Sequence, residues 1–291
     1  MPNPTIARME TLHATLQGPY LAITSSATPA AAGFFQAGGI CDWAFIEEGL
    51  RTGEGLLAAI SRRLGRQASI ARLIMLDRGP GQFTGLRAGI GITQGLAMGW
   101  GVPVISIDSA SIMAWSAWEI IKEARFATDG RAHGAYEANL PSPMQVITVR
   151  DARLGAFYVA EFSSIPELLE AQVDSVQTLT LEQLTSTVSA RRASIAREEE
   201  LVLVSDESSQ KRLLETNAFD ETAKADVTWL RPGAIDLVGA LARLGIERLK
   251  RGAKPLQAEQ LVAYYVRNDV AMDLSAQRAY RRAQGGQSRI S

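Results

Sequence analysis

A proline between two glycines, Gly79-Pro80-Gly81, joins two segments of different hydrophobic pattern. Before it runs a short continuous apolar stretch, Leu73-Ile74-Met75-Leu76, closed by Asp77-Arg78. After it, from Phe83 to Trp100, apolar residues recur at helical spacing. The glycines accept positive φ or close backbone approach, and the proline fixes its own φ. The pattern predicts strand, tight corner, helix. Such a corner has two uses. It can present the N–H groups of a helix N-terminus to an anion, or it can seat a helix closely on its own sheet.

The surrounding chain extends this pattern. Tyr20 to Ser26, Ala30 to Gln36 and Cys41 to Glu47 read as three short strands with Gly, Pro and Ala between them, an antiparallel meander. Arg51 to Leu64 reads as a helix with Leu56, Leu57, Ile60 and Leu64 near one face and Thr52 as its N-cap. Val102 to Ile107 is a further apolar strand, and Asp108-Ser109 caps a helix from Ala110 to Ala124. Helix-separated strands favour a mixed sheet whose later members run parallel. Arg125 to Pro143 is polar and rich in Gly, Ala and Pro, the best domain boundary. Beyond it, Met144 to Arg150 and Ala156 to Phe162 pair as a hairpin that opens a second unit. Leu181 to Thr187 reads as helical, Leu201 to Val204 as a strand, and Ala234 to Arg251 as a long amphipathic helix. Two units that both open with a hairpin hint at a duplicated fold. The organisation expected is a flexible extension over residues 1–19, an N-terminal unit over 20–125, a C-terminal unit over 144–272 and a basic tail over 273–291.

Composition narrows the chemistry. With 46% hydrophobic residues the 291-residue chain can bury a core, and its net charge of −1 carries no strong basic field for nucleic acid. One cysteine, Cys41, permits no internal disulfide and fits a reducing compartment, so a cytoplasmic location is expected. Two histidines, His13 and His133, and no Cys/His cluster argue against a zinc or iron site or a Ser/His/Asp triad. No apolar run is long enough to span a bilayer, and the N-terminus does not read as a secretory signal.

Three segments carry a family resemblance. GPGQFTGLRAGIGITQGLAMGWGVPVISIDS, from Gly79 to Ser109, resembles the signature of the bacterial TsaB (YeaZ) family of tRNA threonylcarbamoyladenosine biosynthesis proteins. VRDARLGAFYVAEF, from Val149, and AYYVRNDVA, from Ala263, are similar to that family's second hairpin and C-terminal ending. The likeness runs from about Tyr20 to Met272. It implies an α/β fold of two related actin-like (ASKHA, RNase H-like) subdomains, each a mixed sheet flanked by helices. It also implies a non-catalytic scaffold for the related enzyme TsaD, which modifies the adenosine next to the tRNA anticodon. The ATPase TsaE is expected in the same assembly, and a homodimer when TsaD is absent. Contact with tRNA is expected to be indirect, through the complex. No cofactor is expected on this chain, ATP and Mg²⁺ being left to the partners.

The residues bear on that expectation. An actin-like phosphate site needs carboxylates to hold a metal, and the family's first strand often reads Ala-Ile-Asp-Thr. Here the matching position is Thr24, a poor Mg²⁺ ligand. Asp151 and Gly155 in the second hairpin fit a phosphate site better. Together with Thr24 they are the candidate vestige of one, although Asp151 reads more readily as a turn residue bonding local N–H groups. The alternative function is a nucleotide-binding ATPase or kinase-like enzyme. The candidate partner interface lies on two helices, at Leu56, Leu57, Ile60, Gly85, Leu86, Arg87, Gly89, Ile92 and Gly95. Gly85 with Gly89, and Gly91, Gly95 and Gly99, recur four apart, and small residues let two helix axes approach. The same glycines also suit packing of the helix onto its own sheet. Arg87 suits an ion pair within or between subunits.

Overall fold

The computed structural model describes residues 18–36, 39–46, 52–129, 144–170, 176–196, 199–216, 219 and 226–266. The expected linker beyond residue 129, the basic tail, nearly all of the N-terminal extension, and both histidines lie outside them.

Two five-stranded sheets repeat one plan. The first holds β1 (Tyr20–Thr24), β2 (Ala31–Gln36), β3 (Gly39–Phe45), β4 (Leu73–Asp77) and β5 (Val104–Ile107), in the order β3-β2-β1-β4-β5. The meander β1-β2-β3 is antiparallel, and β4 and β5 follow in parallel on the other side of β1. The second holds β6 (Met144–Arg153), β7 (Ala156–Phe162), β8 (Gln177–Thr180), β9 (Glu200–Ser205) and β10 (Thr228–Leu230). Its order, β8-β7-β6-β9-β10, and its mixture of antiparallel and parallel pairs match the first strand for strand. The fold is therefore a pair of related actin-like subdomains.

Seven longer helices flank the sheets: α1 (Thr52–Ala59), α2 (Phe83–Trp100), α3 (Ser109–Asp129), α4 (Ile165–Glu170), α5 (Leu181–Ser194), α6 (Glu207–Glu215) and α7 (Ala234–Lys250); a four-residue helix, Gly65–Ala68, follows the turn after α1. The period-2 alternation of β1 sorts its side chains to two cores. Leu21 and Ile23 join Ile74 and Leu76 of β4 under α1 and α2, where Leu56 and Ile90 close the layer. Tyr20 and Ala22 face the other way, into a core built by α3 and α7, which lie against each other between the sheets. Trp115, Trp118 and Ile121 of α3 meet Leu237, Leu241 and Leu244 of α7 in that core. A Cβ at Gly245 would stand 2.7 Å from Met75 Sδ, so the small residue lets α7 approach β4.

Boundaries differ from the sequence reading where local geometry intervenes. The helix expected over Arg51 to Leu64 is regular only to Ala59. A wider π turn, Ile60–Leu64, keeps Ile60 and Leu64 both buried, and Gly65 at φ +48° ends it. The helix expected to stop at Thr187 continues to Ser194, launched by a capping box in which Thr180 and Gln183 bond each other's backbone N–H. The reading passed over α4, β8, α6 and β10, all short; β8 and β10 contain no fully buried side chain.

Candidate functional site

The Gly-Pro-Gly corner stands where the two subdomains meet. Parallel pairing of β1 with β4 sets Thr24 beside Asp77 at the strand ends. Asp77 is 1% exposed, and its carboxylate accepts from four donors. Thr24 Oγ1 donates to Oδ2 at 2.8 Å and Ser26 Oγ donates to the same oxygen. Gly79 N, at 3.0 Å, and Ser109 Oγ donate to Oδ1. From the second subdomain comes Arg150, equally buried. Its Nη1 donates to Ser26 Oγ and, at 3.3 Å, to the carbonyl of Pro80, while Nε lies 3.5 Å from Asp206 Oδ2. The space left at this junction, lined by Pro80, Ser109, Thr148, Arg150 and Tyr158, is about large enough for a single water.

These groups do not form a metal–phosphate cradle. Asp77 has no oxygen free of a donor, and an arginine holds the position between the carboxylates of the two subdomains, Asp77 and Asp206. Hard cations take oxygen ligands and would be repelled by a guanidinium there. Among the described residues no group of three or more His, Cys, Asp or Glu could hold a metal. Asp151 lies apart. Its Oδ1 accepts from Arg153 N at 2.8 Å and from Arg212 Nη1 at 2.5 Å. Arg153, Leu154 and Gly155 all have positive φ in this turn, so Asp151 bonds its own hairpin and α6. The three residues named as a phosphate vestige are thus not brought together: Thr24 joins the Asp77 network, and Asp151 and Gly155 belong to the second turn.

The two outer helices separate the candidate interface residues. Leu56, Ile60, Gly85, Leu86 and Gly89 face inward, which corrects their assignment to a partner surface. Leu56, Ile60 and Leu86 are at most 2% exposed because they fill the layer over the first sheet. Gly89 is internal for steric reasons: a Cβ there would stand 2.0 Å from Ser25 Oγ. Gly81 likewise would meet the Ser26 carbonyl at 2.3 Å. By contrast Gly91, Gly95 and Gly99 are exposed, with nothing within 4 Å of an added Cβ. They form one i, i+4 ridge on the outer face of α2, beside exposed Met98. Leu57, on the outer face of α1, is also exposed, and Ile92 lies half-buried at the edge. Arg87 begins the same stripe and is exposed. It makes no ion pair in what is described. Its Nε donates to Tyr265 Oη at 3.0 Å, and its guanidinium lies over the Phe83 ring at 3.9 Å. The segment 256–266 runs along α2, with Leu256 bridged to Val104, Leu261 O accepting from Gln94, and Tyr264 N donating to Arg78 O.

Comparison with known proteins fits this arrangement. The E. coli tRNA threonylcarbamoyladenosine biosynthesis protein TsaB is 40% identical over 85 residues, and the Haemophilus influenzae protein of the same name is 46% identical over 65. Over these stretches the chain is similar to TsaB proteins. The aligned stretch spans 28% of the length of each of these two TsaB proteins, and 29% and 22% of this chain. The profile of the TsaD family, tRNA N6-adenosine threonylcarbamoyltransferase, matches residues 56–179. Two solved Pseudomonas aeruginosa structures share the fold at 20% identity. One is described as similar to the peptidase YeaZ, with TM-score 0.57 over 86% of this chain and 99% of that one. The other is YeaZ itself, with TM-score 0.54 over 84% and 98%.

Sequence reasoning missed Ser26, Asp77, Ser109, Arg150 and Asp206 as one network. Two signals were present. Asp77 closes an otherwise apolar strand and Arg150 sits within the run of buried residues in β6, and a buried charge requires a partner.

Proposed function

We propose that this chain takes part in making threonylcarbamoyladenosine in tRNA as a non-catalytic subunit, docking a TsaD-type enzyme on the outer faces of α1 and α2. The named role of the similar TsaB proteins, in tRNA threonylcarbamoyladenosine biosynthesis, supports the pathway. The observation that carries the docking role is the exposed ridge Gly91-Gly95-Gly99. Each glycine costs about 1 kcal/mol in a helix interior relative to alanine, and among the described residues none of the three has a packing neighbour that requires it. An exposed smooth ridge flanked by Met98 and Leu57 lets a second helix approach closely. A TsaE-type ATPase joins the same cytoplasmic assembly, tRNA is met through the complex, and a second copy of the chain covers the ridge when the enzyme is absent.

The filled junction supports the non-catalytic part of the reading, with ATP and Mg²⁺ left to the partners. Arg150 and the saturated Asp77 leave no carboxylate pair for a metal-bound nucleotide. The alternative, an ATPase or kinase-like enzyme of the same fold, is separated by calorimetry. The scaffold reading expects no heat of ATP–Mg²⁺ binding to the isolated chain, and micromolar binding would favour the enzyme. Docking is tested by co-purification with the TsaD-type enzyme of the same source. Gly95→Leu should abolish co-elution while leaving the circular dichroism spectrum of the isolated chain unchanged.

A further inference from the structure

Arg150 touches the corner that launches α2. Its guanidinium reaches Ser26 Oγ and the Pro80 carbonyl in the first subdomain, and pairs with Asp206, the N-cap of α6, in the second. Ser26 is the hub on the receiving side. Its hydroxyl accepts from Arg150 and donates onward to Asp77, and its carbonyl accepts from Gln82 N at 2.8 Å. Gln82 precedes α2, and its own carbonyl accepts the first helical bond, from Leu86 N at 2.9 Å. Within the corner only Pro80 fixes its own φ. Gly79 has φ +98°, Gly81 has no side chain, and Gln82 makes no side-chain cap. The direction in which α2 leaves the sheet therefore depends on the contacts that hold Ser26 and Pro80, together with the Ser109 N–Gly79 O bond and the packing of Leu86 and Gly89 beneath the helix.

We propose that Arg150 is a positioning residue, a latch through which the second subdomain holds the Gly79-Pro80-Gly81 corner and so sets the direction of α2. An 18-residue helix is about 27 Å long at about 1.5 Å per residue. A tilt of about 5° at the corner therefore moves its far end by about 2 Å. That displacement is enough to spoil the fit of a close-packed ridge. The latch stands on its own geometry, and its consequence for partner binding rests on the docking role proposed above.

The test is amide hydrogen exchange on the full chain and on two variants. Arg150→Met keeps the apolar stem and removes the guanidinium. Ser26→Ala keeps Arg150 and cuts the relay. Exchange at the Gln82 and Leu86 amides should accelerate by about tenfold or more in both, the scale of one charge-assisted hydrogen bond, while the central strands keep their protection. If Arg150→Met fails to fold, Ser26→Ala decides alone. Affinity for the TsaD-type enzyme should fall in the same variants, although neither touches the ridge. Unchanged exchange at Gln82 and Leu86 overturns the latch, whatever Gly95→Leu does to the partner. Faster exchange with unchanged affinity, where Gly95→Leu has abolished co-elution, overturns the positioning claim. Normal co-elution of Gly95→Leu refutes the docking role alone, and the exchange data still judge the latch.

Discussion

At the scale of single residues, the glycines of α2 divide by what surrounds them. Gly89 is pressed against Ser25, whereas Gly95 faces open space. Gly89→Ala forces a clash in a packed layer and should destabilise the chain by about 1–3 kcal/mol. Gly95→Ala should stabilise it by about 0.5–1 kcal/mol through helix propensity. Urea denaturation of the two variants measures both signs, and equal effects would contradict the division. Glu119 makes a second residue-scale case. It lies between α3 and α7, where Arg243 Nη2 donates to it at 2.6 Å, and burial outweighs that pairing and raises its pKa above the ordinary 4.5. A raised carboxylate pKa means that the folded chain keeps this proton to higher pH than the unfolded chain does. This group's contribution is therefore most favourable below pH 4.5 and is lost as pH rises from 4.5 through the raised value. Glu119→Gln should remove that loss, so thermal stability at pH 7 should hold or rise relative to wild type. Arg243→Ala should lower it by removing the cation from a largely buried carboxylate, to which Trp115 Nε1 would still donate.

At the scale of elements, periodicity was informative where one face of a long segment is buried. The helices at 83–100, 109–129 and 234–250 were legible for that reason, as were the apolar strands β1, β4, β5, β6 and β7. Short elements with mixed exposure, such as β8 and β10, carry too few apolar positions to show a period. The site was less legible than the fold. Four-residue spacing identifies two glycine series on α2 but not which faces the sheet, because Gly85/Gly89 and Gly91/Gly95/Gly99 differ only in rotation about the axis. Leu56 and Ile60 illustrate the same limit on α1 and the turn that follows: they are apolar and helically spaced because they are core, while Leu57 beside them is exposed. The Asp77–Ser26–Arg150 relay joins residues 51 and 124 positions apart, and only the assembled subdomains bring them together. The strap over α2 was equally hidden. Tyr265 was visible as part of a family ending, but its contact with Arg87 depends on the path of the chain after α7.

At the scale of the molecule, the duplicated sheet plan leaves two places for function: the junction between the subdomains and the outer face of the first. The junction is closed by Arg150 and a saturated carboxylate. The outer face exposes a ridge of small residues that no other described residue packs against. The central claim is that this ridge, set in direction by the corner at Gly79-Pro80-Gly81, holds a TsaD-type enzyme. Its most direct test is the affinity of that enzyme for wild type, Gly95→Ala and Gly95→Leu, measured by calorimetry on folded proteins. The account predicts that leucine lowers affinity by at least about a hundredfold, corresponding to about 2.7 kcal/mol, with alanine intermediate or mild. Equal affinity for wild type and Gly95→Leu would contradict it.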